Sequence, residues 1–138
     1  QIRAQLLDLE AQKEALEDEE EAAEEALEKE EKKLEKVRDL KERAEEQIKE
    51  AEEEIADARE EMAELVEVPE AVSTLVSEAE SKLANAKTAL GAENYGEAYG
   101  QAMAAEMLAK NAEKKIEQEE EKLEDELEVP AFIRRKLK

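Results

Sequence analysis

Apolar residues return along the first half of the chain at alternating intervals of four and three, on positions 2, 6, 9, 13, 16, 20, 23, 27, 30, 34, 37, 41, 44, 48, 51, 55, 58, 62 and 65. The polar exceptions are Lys13, Glu20, Glu30 and Lys41. Such a ladder is the mark of a helix with one oily seam. No Gly or Pro interrupts it before Pro69, so the spacing predicts one helix of about 65 residues, roughly 100 Å long at 1.5 Å per residue.

Pro69 lacks an amide hydrogen and pushes Val68 out of the helical region, so it ends the first helix and suits the first turn of the next. Val72, Val76, Ala79, Leu83, Ala86 and Leu90 continue the spacing through a second helix of about twenty residues, which Gly91 is expected to end as a left-handed cap. Asn94 suits the N-cap of a third helix, with Glu97 completing a loose capping box. The third seam runs Ala98, Ala102, Ala105, Ala109, Ala112, Ile116, Glu119, Leu123 and Leu127, and Pro130 stops it. Connections this short make the helices run up, down, up. The predicted fold class is all-α, a long N-terminal coiled-coil helix followed by two shorter helices that form a slender antiparallel three-helix bundle. Residues 1–43 read as an acidic coiled-coil arm, 44–130 as the bundle with a helical hairpin over 70–127, and 131–138 as the basic start of a further helix.

An internal repeat appears at a shift of 61 residues, where AEEQIKEAEEEIADAREEMAELVEVP (44–69) lies over AEMLAKNAEKKIEQEEEKLEDELEVP (105–130). Ala44, Ala51 and Ile55 fall on Ala105, Ala112 and Ile116 in the same seam register, and both stretches end in Glu-Val-Pro. AFIRRKLK then reads as the opening of another short helix.

All three glycines and both tyrosines lie between residues 91 and 100. Gly96, Gly100 and Ala104 form one smooth stripe, and the expectation is that the first helix packs closely on it, offsetting a cost of about 1 kcal/mol per helical glycine. Tyr95, Tyr99 and Met103 form a second stripe that can wedge into the turn or present a binding surface. GAENYG has neither phosphate-loop spacing. NYGEAYGQAMAAEMLAKNAEKKIE (94–117), following AESKLANAKTALGAE, resembles a motif of poorly characterised prokaryotic helical-hairpin repeat proteins that are often predicted to be exported, and these are loosely similar to tetratricopeptide hairpins. Tyr95, Ala98 and Ala105 match the tetratricopeptide spacing, while Ala102 stands where a large residue is usual. The resemblance implies a binding or structural role and an exported or cell-surface protein, and it brings no catalytic residues or cofactors.

Composition narrows the function. With 41% apolar and 46% charged residues, one Phe and no Trp, thin helical seams are within reach and a thick core is not. The net charge is -21, and residues 1–67 alone carry 27 acidic against 11 basic groups. That surface repels phosphate backbones and anionic lipid, so no nucleic-acid partner is expected. No apolar run approaches spanning length, so no membrane insertion is expected either. The chain has no Cys and no His, which removes thiolates, imidazoles and the usual zinc ligands. Catalysis would rest on carboxylates, Lys or Tyr alone, and the expectation is a protein that is not an enzyme and uses no cofactor.

The second helix reaches back only to about residue 45, which leaves the seam of 1–43 without a partner inside the chain. Leu6, Leu9, Leu16, Leu27, Leu34 and Val37 would then pair with another chain. Parallel self-pairing stacks Lys13 on Lys13, Glu20 on Glu20 and Glu30 on Glu30. An antiparallel register instead sets Lys13 opposite Glu30, Leu16 opposite Leu27, Leu9 opposite Leu34 and Leu6 opposite Val37, and it predicts an antiparallel homodimer. The competing reading is a solvated single helix held by Glu and Lys neighbours.

LEDEEEAAEEALEKEE (16–31) gathers ten acidic groups around one Lys. It reads first as a solvated face. Glu17, Glu21, Glu24 and Glu28 lie on adjoining turns and are weak candidates for holding calcium or another hard cation, and Arg134, Arg135, Lys136 and Lys138 of a neighbour are an alternative occupant. The expected function is a rod-like helical spacer, stalk segment or assembly module. The alternatives are a protein-binding hairpin using Tyr95 and Tyr99, or an acidic divalent-cation-binding protein.

Overall fold

The computed structural model describes residues 2–127, and within them the protein is all-α. Helix α1 spans Ile2–Ala63, α2 Glu70–Gly91 and α3 Tyr95–Leu127. The Glu-Val-Pro end of the repeat and the basic segment 131–138 lie outside the described residues.

The chain divides into two units at Asp39 and Leu40. In the first, α1 is continuous and every described residue is exposed. The second holds the buried side chains. Those from α1 are Ala44, Ile48, Ala51, Ile55 and Ala58, the seam positions given by the four-three spacing.

Three clusters fix the topology. Ala44 packs with Ala89 and Ala98, against Leu90 and Tyr95. Ile48 packs with Ala86 and Ala102. A larger cluster joins Ala51, Ile55 and Ala58 to Val72, Val76 and Ala79 and to Ala105, Ala109, Ala112 and Ile116. As α1 advances its partners on α2 recede and those on α3 advance, so the three helices run up, down, up. The larger buried apolar residues are Ile48, Ile55, Val72, Val76 and Ile116, and the rest are alanine. Short side chains let the backbones come near one another, in keeping with a sequence that has almost no aromatic bulk.

The connections differ from expectation in three places. Helix α1 ends at Ala63, several residues before Pro69, and tightens as it does so: Glu64 donates its amide to the Glu61 carbonyl and Leu65 to Met62, each at 3.2 Å. These i to i−3 bonds satisfy terminal carbonyls without a glycine cap. Pro69 is the N-cap of α2 rather than its first helical residue, extended at φ -60° and ψ 141°. Its carbonyl accepts from Val72 at 3.1 Å and Ser73 at 3.2 Å.

The third difference is at the turn between α2 and α3. Gly91 belongs to the helix and has no left-handed backbone; Glu93 takes that conformation, at φ 62°. Glu93 donates to the Leu90 carbonyl at 3.0 Å and Asn94 to the Ala89 carbonyl at 2.9 Å. This pair of crossed bonds is the Schellman closure. It is displaced two residues beyond the glycine that the sequence offered for it.

Candidate functional site

Two surfaces hold the residues singled out in the sequence. On α1, Leu9, Leu16, Leu27 and Leu34 are about 60 to 66% exposed, Ile2 75% and Val37 49%. Lys13 and Glu30 sit on the same exposed stripe. The helix rises one turn every 3.6 residues, so heptad-spaced leucines from one turn to the next form a seam of apolar groups facing water. Glu17, Glu21, Glu24 and Glu28 are also exposed on this helix. Among the described residues, no group of three or more acidic, Cys or His side chains is placed to hold a metal ion.

The second surface is the start of α3. Tyr95 is half-buried against Ala44, Ala89 and Ala98, wedged at the end of the bundle. Tyr99, Met103 and Met107 are exposed. Gly96 and Gly100 do not receive the first helix as expected, since a Cβ at either would meet nothing within 4 Å. Helical geometry explains the correction. Ala98 and Ala102 face the core, and a residue two positions earlier lies about 200° around the helix, on the opposite side. The glycines therefore continue the outward face that carries Tyr99 and Met103.

Beside this face, a shallow depression of about 300 Å³ between α2 and α3 includes Asn85, Thr88, Asn94, Glu97 and Gln101 in its lining. Its polar groups mostly engage one another or the backbone: Asn94 Nδ2 donates to Glu97 Oε2 at 2.8 Å, and Thr88 Oγ1 to the Ala84 carbonyl at 3.0 Å. The Asn94–Glu97 contact is side chain to side chain, in place of the expected capping box. Gln101 Oε1 is buried without a hydrogen-bond partner among the described residues.

The flanks of the bundle carry polar contacts that the seam pattern did not reveal. Arg59 Nε donates to Glu80 Oε1 at 2.7 Å, joining α1 to α2, and Lys87 reaches Glu52 at 2.9 Å across the same pair of helices. Between α1 and α3, Gln47 Nε2 donates to Glu106 Oε2, and Lys110 lies 2.8 Å from Glu106 Oε1. The hydrogen bond from Lys110 holds the Glu106 carboxyl below its ordinary value, against the opposing effect of burial.

One and two heptads further along the same flank, the partners are alike in charge. Burial, then the hydrogen bond to Glu54 and the charges of Glu54, Glu61 and Asp57, push the Glu113 carboxyl up to about 8. Glu61 is raised too, by burial first and then by Glu117, Glu120, Asp57 and Glu64. The signal was present in the sequence as heptad-spaced polar residues beside the seam, at 47, 54 and 61 and at 106, 113 and 120. Only the register between the helices, which spacing along one helix does not give, brings these residues face to face.

Comparison with known protein families, with curated proteins and with solved structures finds no match. No helix among the described residues is long and apolar enough to cross a membrane.

Proposed function

We propose that this chain is a non-enzymatic structural and assembly module, a helical spacer or stalk segment from a repeat protein, that self-associates through residues 1–43 as an antiparallel homodimer. The observation carrying this reading is the exposed seam of α1, with Leu6, Leu9, Leu16, Leu27, Leu34 and Val37 in water along an unbroken helix. An apolar stripe of that length is covered by association in most helical proteins. A second copy is the partner that the charges favour, because the antiparallel register sets each Lys13 against a Glu30 while it pairs the leucines.

Charge exchange tests both the association and its direction. Lys13→Glu is expected to weaken the dimer in sedimentation equilibrium, and Lys13→Glu combined with Glu30→Lys to restore it. A parallel dimer opposes like charges in the wild type and in both variants, so it would show neither the loss nor the rescue. A wild-type chain that remains monomeric at micromolar concentration and above removes the proposal.

Exposure of Tyr99, Met103 and Met107 beside two open glycines supports a second reading, a hairpin that binds another protein through the outward face of α3. Association lost in Tyr99→Ala but retained in Lys13→Glu would assign the contact to this face instead.

A further inference from the structure

We propose that the protonated carboxyl of Glu113 on α3 donates to Glu54 on α1 and forms a pH-operated latch, which holds α3 on α1 when that proton is present and loosens it when the proton is lost.

The parallel run of α1 and α3 creates the arrangement. Gln47 donates to Glu106, and seven residues on, at the same place in the next heptad, Glu54 hydrogen-bonds Glu113. A further seven residues on, Glu61 feels Glu120 and Glu117. The first rung is an amide donating to a carboxylate and needs no proton. The middle rung sets two carboxyl groups against each other, and only a protonated one can donate to the other. Both are half-buried, beside Ile55 and Ala112 of the apolar core.

The surroundings give the bare pair little relief. From α1, Asp57 and Glu61 add negative charge. On α3, Lys110 bonds Glu106 and also attracts Glu54 and Glu50 of α1, so this cation acts on the pair from its Glu54 side. From α2, the side chains packed into this part of the core are Val72, Val76 and Ala79, all apolar. Arg59 of α1, five residues beyond Glu54, is committed to Glu80. Burial and these carboxylates place the proton's loss near neutrality and above, with Glu113 pushed up to about 8. When the Glu113 carboxyl gives its proton to solvent, the hydrogen bond becomes a like-charge contact across the helix interface.

Histidine and cysteine, the side chains that ordinarily titrate between pH 6 and 9, do not occur in this chain. Ordinary carboxylates are already ionised there. The window therefore isolates carboxyls raised as this one is, and the Glu113→Gln variant separates its contribution from that of Glu61.

The test is thermal unfolding of the whole chain, followed by circular dichroism at constant ionic strength from pH 6 to pH 9. The wild type is expected to lose about 4 to 8 °C in Tm across this range, with its inflection near pH 8. Glu113→Gln, which retains the shape and a donor but not the titration, is expected to keep a level Tm, and Glu54→Gln to do the same. A wild-type Tm that does not change, or a Glu113→Gln variant that falls as steeply as the wild type, overturns the proposal. Should neither variant fold, the carbon-13 shift of the Glu113 carboxyl in the wild type decides: titration above pH 6 supports the latch, and a midpoint near 4.5 overturns it.

Discussion

The amide of Asn94 donates to the carbonyl of Ala89 at 2.9 Å, and to make that reach the chain places Glu93 between them in the left-handed region, at φ 62°. A β-carbon is disfavoured there, whereas glycine is at ease. Glu93→Gly is expected to stabilise the bundle by about 0.5 to 1 kcal/mol, less the entropy that glycine adds to the unfolded chain. Glu93→Val is expected to destabilise it by more than that. Chemical denaturation of the two variants beside the wild type reads both effects.

Gly100 lies inside α3 with open space where its side chain would be. Gly100→Ala is therefore expected to stabilise the protein by about 0.5 to 1 kcal/mol through helix propensity alone. Gly96, one residue into the helix, should respond less. Close packing on the first helix would have made the same changes destabilising, so the sign of the shift in Tm separates the two arrangements.

Seam residues of equal spacing carry unequal energy. Ile55 is 5% exposed among alanines and valines, while Leu27 is 63% exposed. Ile55→Ala is expected to cost about 2 to 4 kcal/mol. Leu27→Ala is expected to change the unfolding of dilute, unassociated chains by less than about 0.5 kcal/mol, and to weaken any dimer in sedimentation.

Glu106 gives the acid side of the stability profile. Its folded pKa is depressed by Lys110, so it contributes stability that is present above the unfolded value and is lost as pH falls through the folded one. For this carboxyl the loss belongs below about pH 4.5. Glu113 has the opposite sign: its raised value means stability that is fully present below about 4.5 and lost as pH rises towards 8. Tm is expected to peak between these limits. Glu106→Gln should flatten the acid limb in a pH series of melts while leaving the alkaline limb in place.

The periodicity of the sequence was enough to read the helices, their order and their buried faces, because burial on a helix repeats with its turn. Ala44, Ile48, Ala51, Ile55 and Ala58 occupy seam positions on α1, and Ala98 to Ile116 do so on α3. Ends were harder to read. Gly91 and Pro69 are strong local signals, yet the left-handed position fell on Glu93 and α1 stopped at Ala63, because closure of a turn depends on how far apart the packed helices hold its ends. The glycine stripe faces outward for a related reason: a run of small residues permits close approach on whichever face it occupies, and the neighbouring alanines take the inner one. The Glu54–Glu113 pairing depends on the offset between two helices, a tertiary quantity with no counterpart in the spacing along either.

Alanine on so many inner positions has a mechanical consequence. Sliding α3 along α1 by seven residues would exchange Ala98, Ala102 and Ala105 for Ala105, Ala109 and Ala112, methyl for methyl, so those layers alone leave the helices free to sit one notch over. The choice falls to the few branched side chains, Ile116 above all, and to the cross-links outside the seam. Gln47 to Glu106 pegs the third helix, and Arg59 to Glu80 with Lys87 to Glu52 pegs the second. In this molecule the greasy interior acts as the rail and the charged exterior sets the stops.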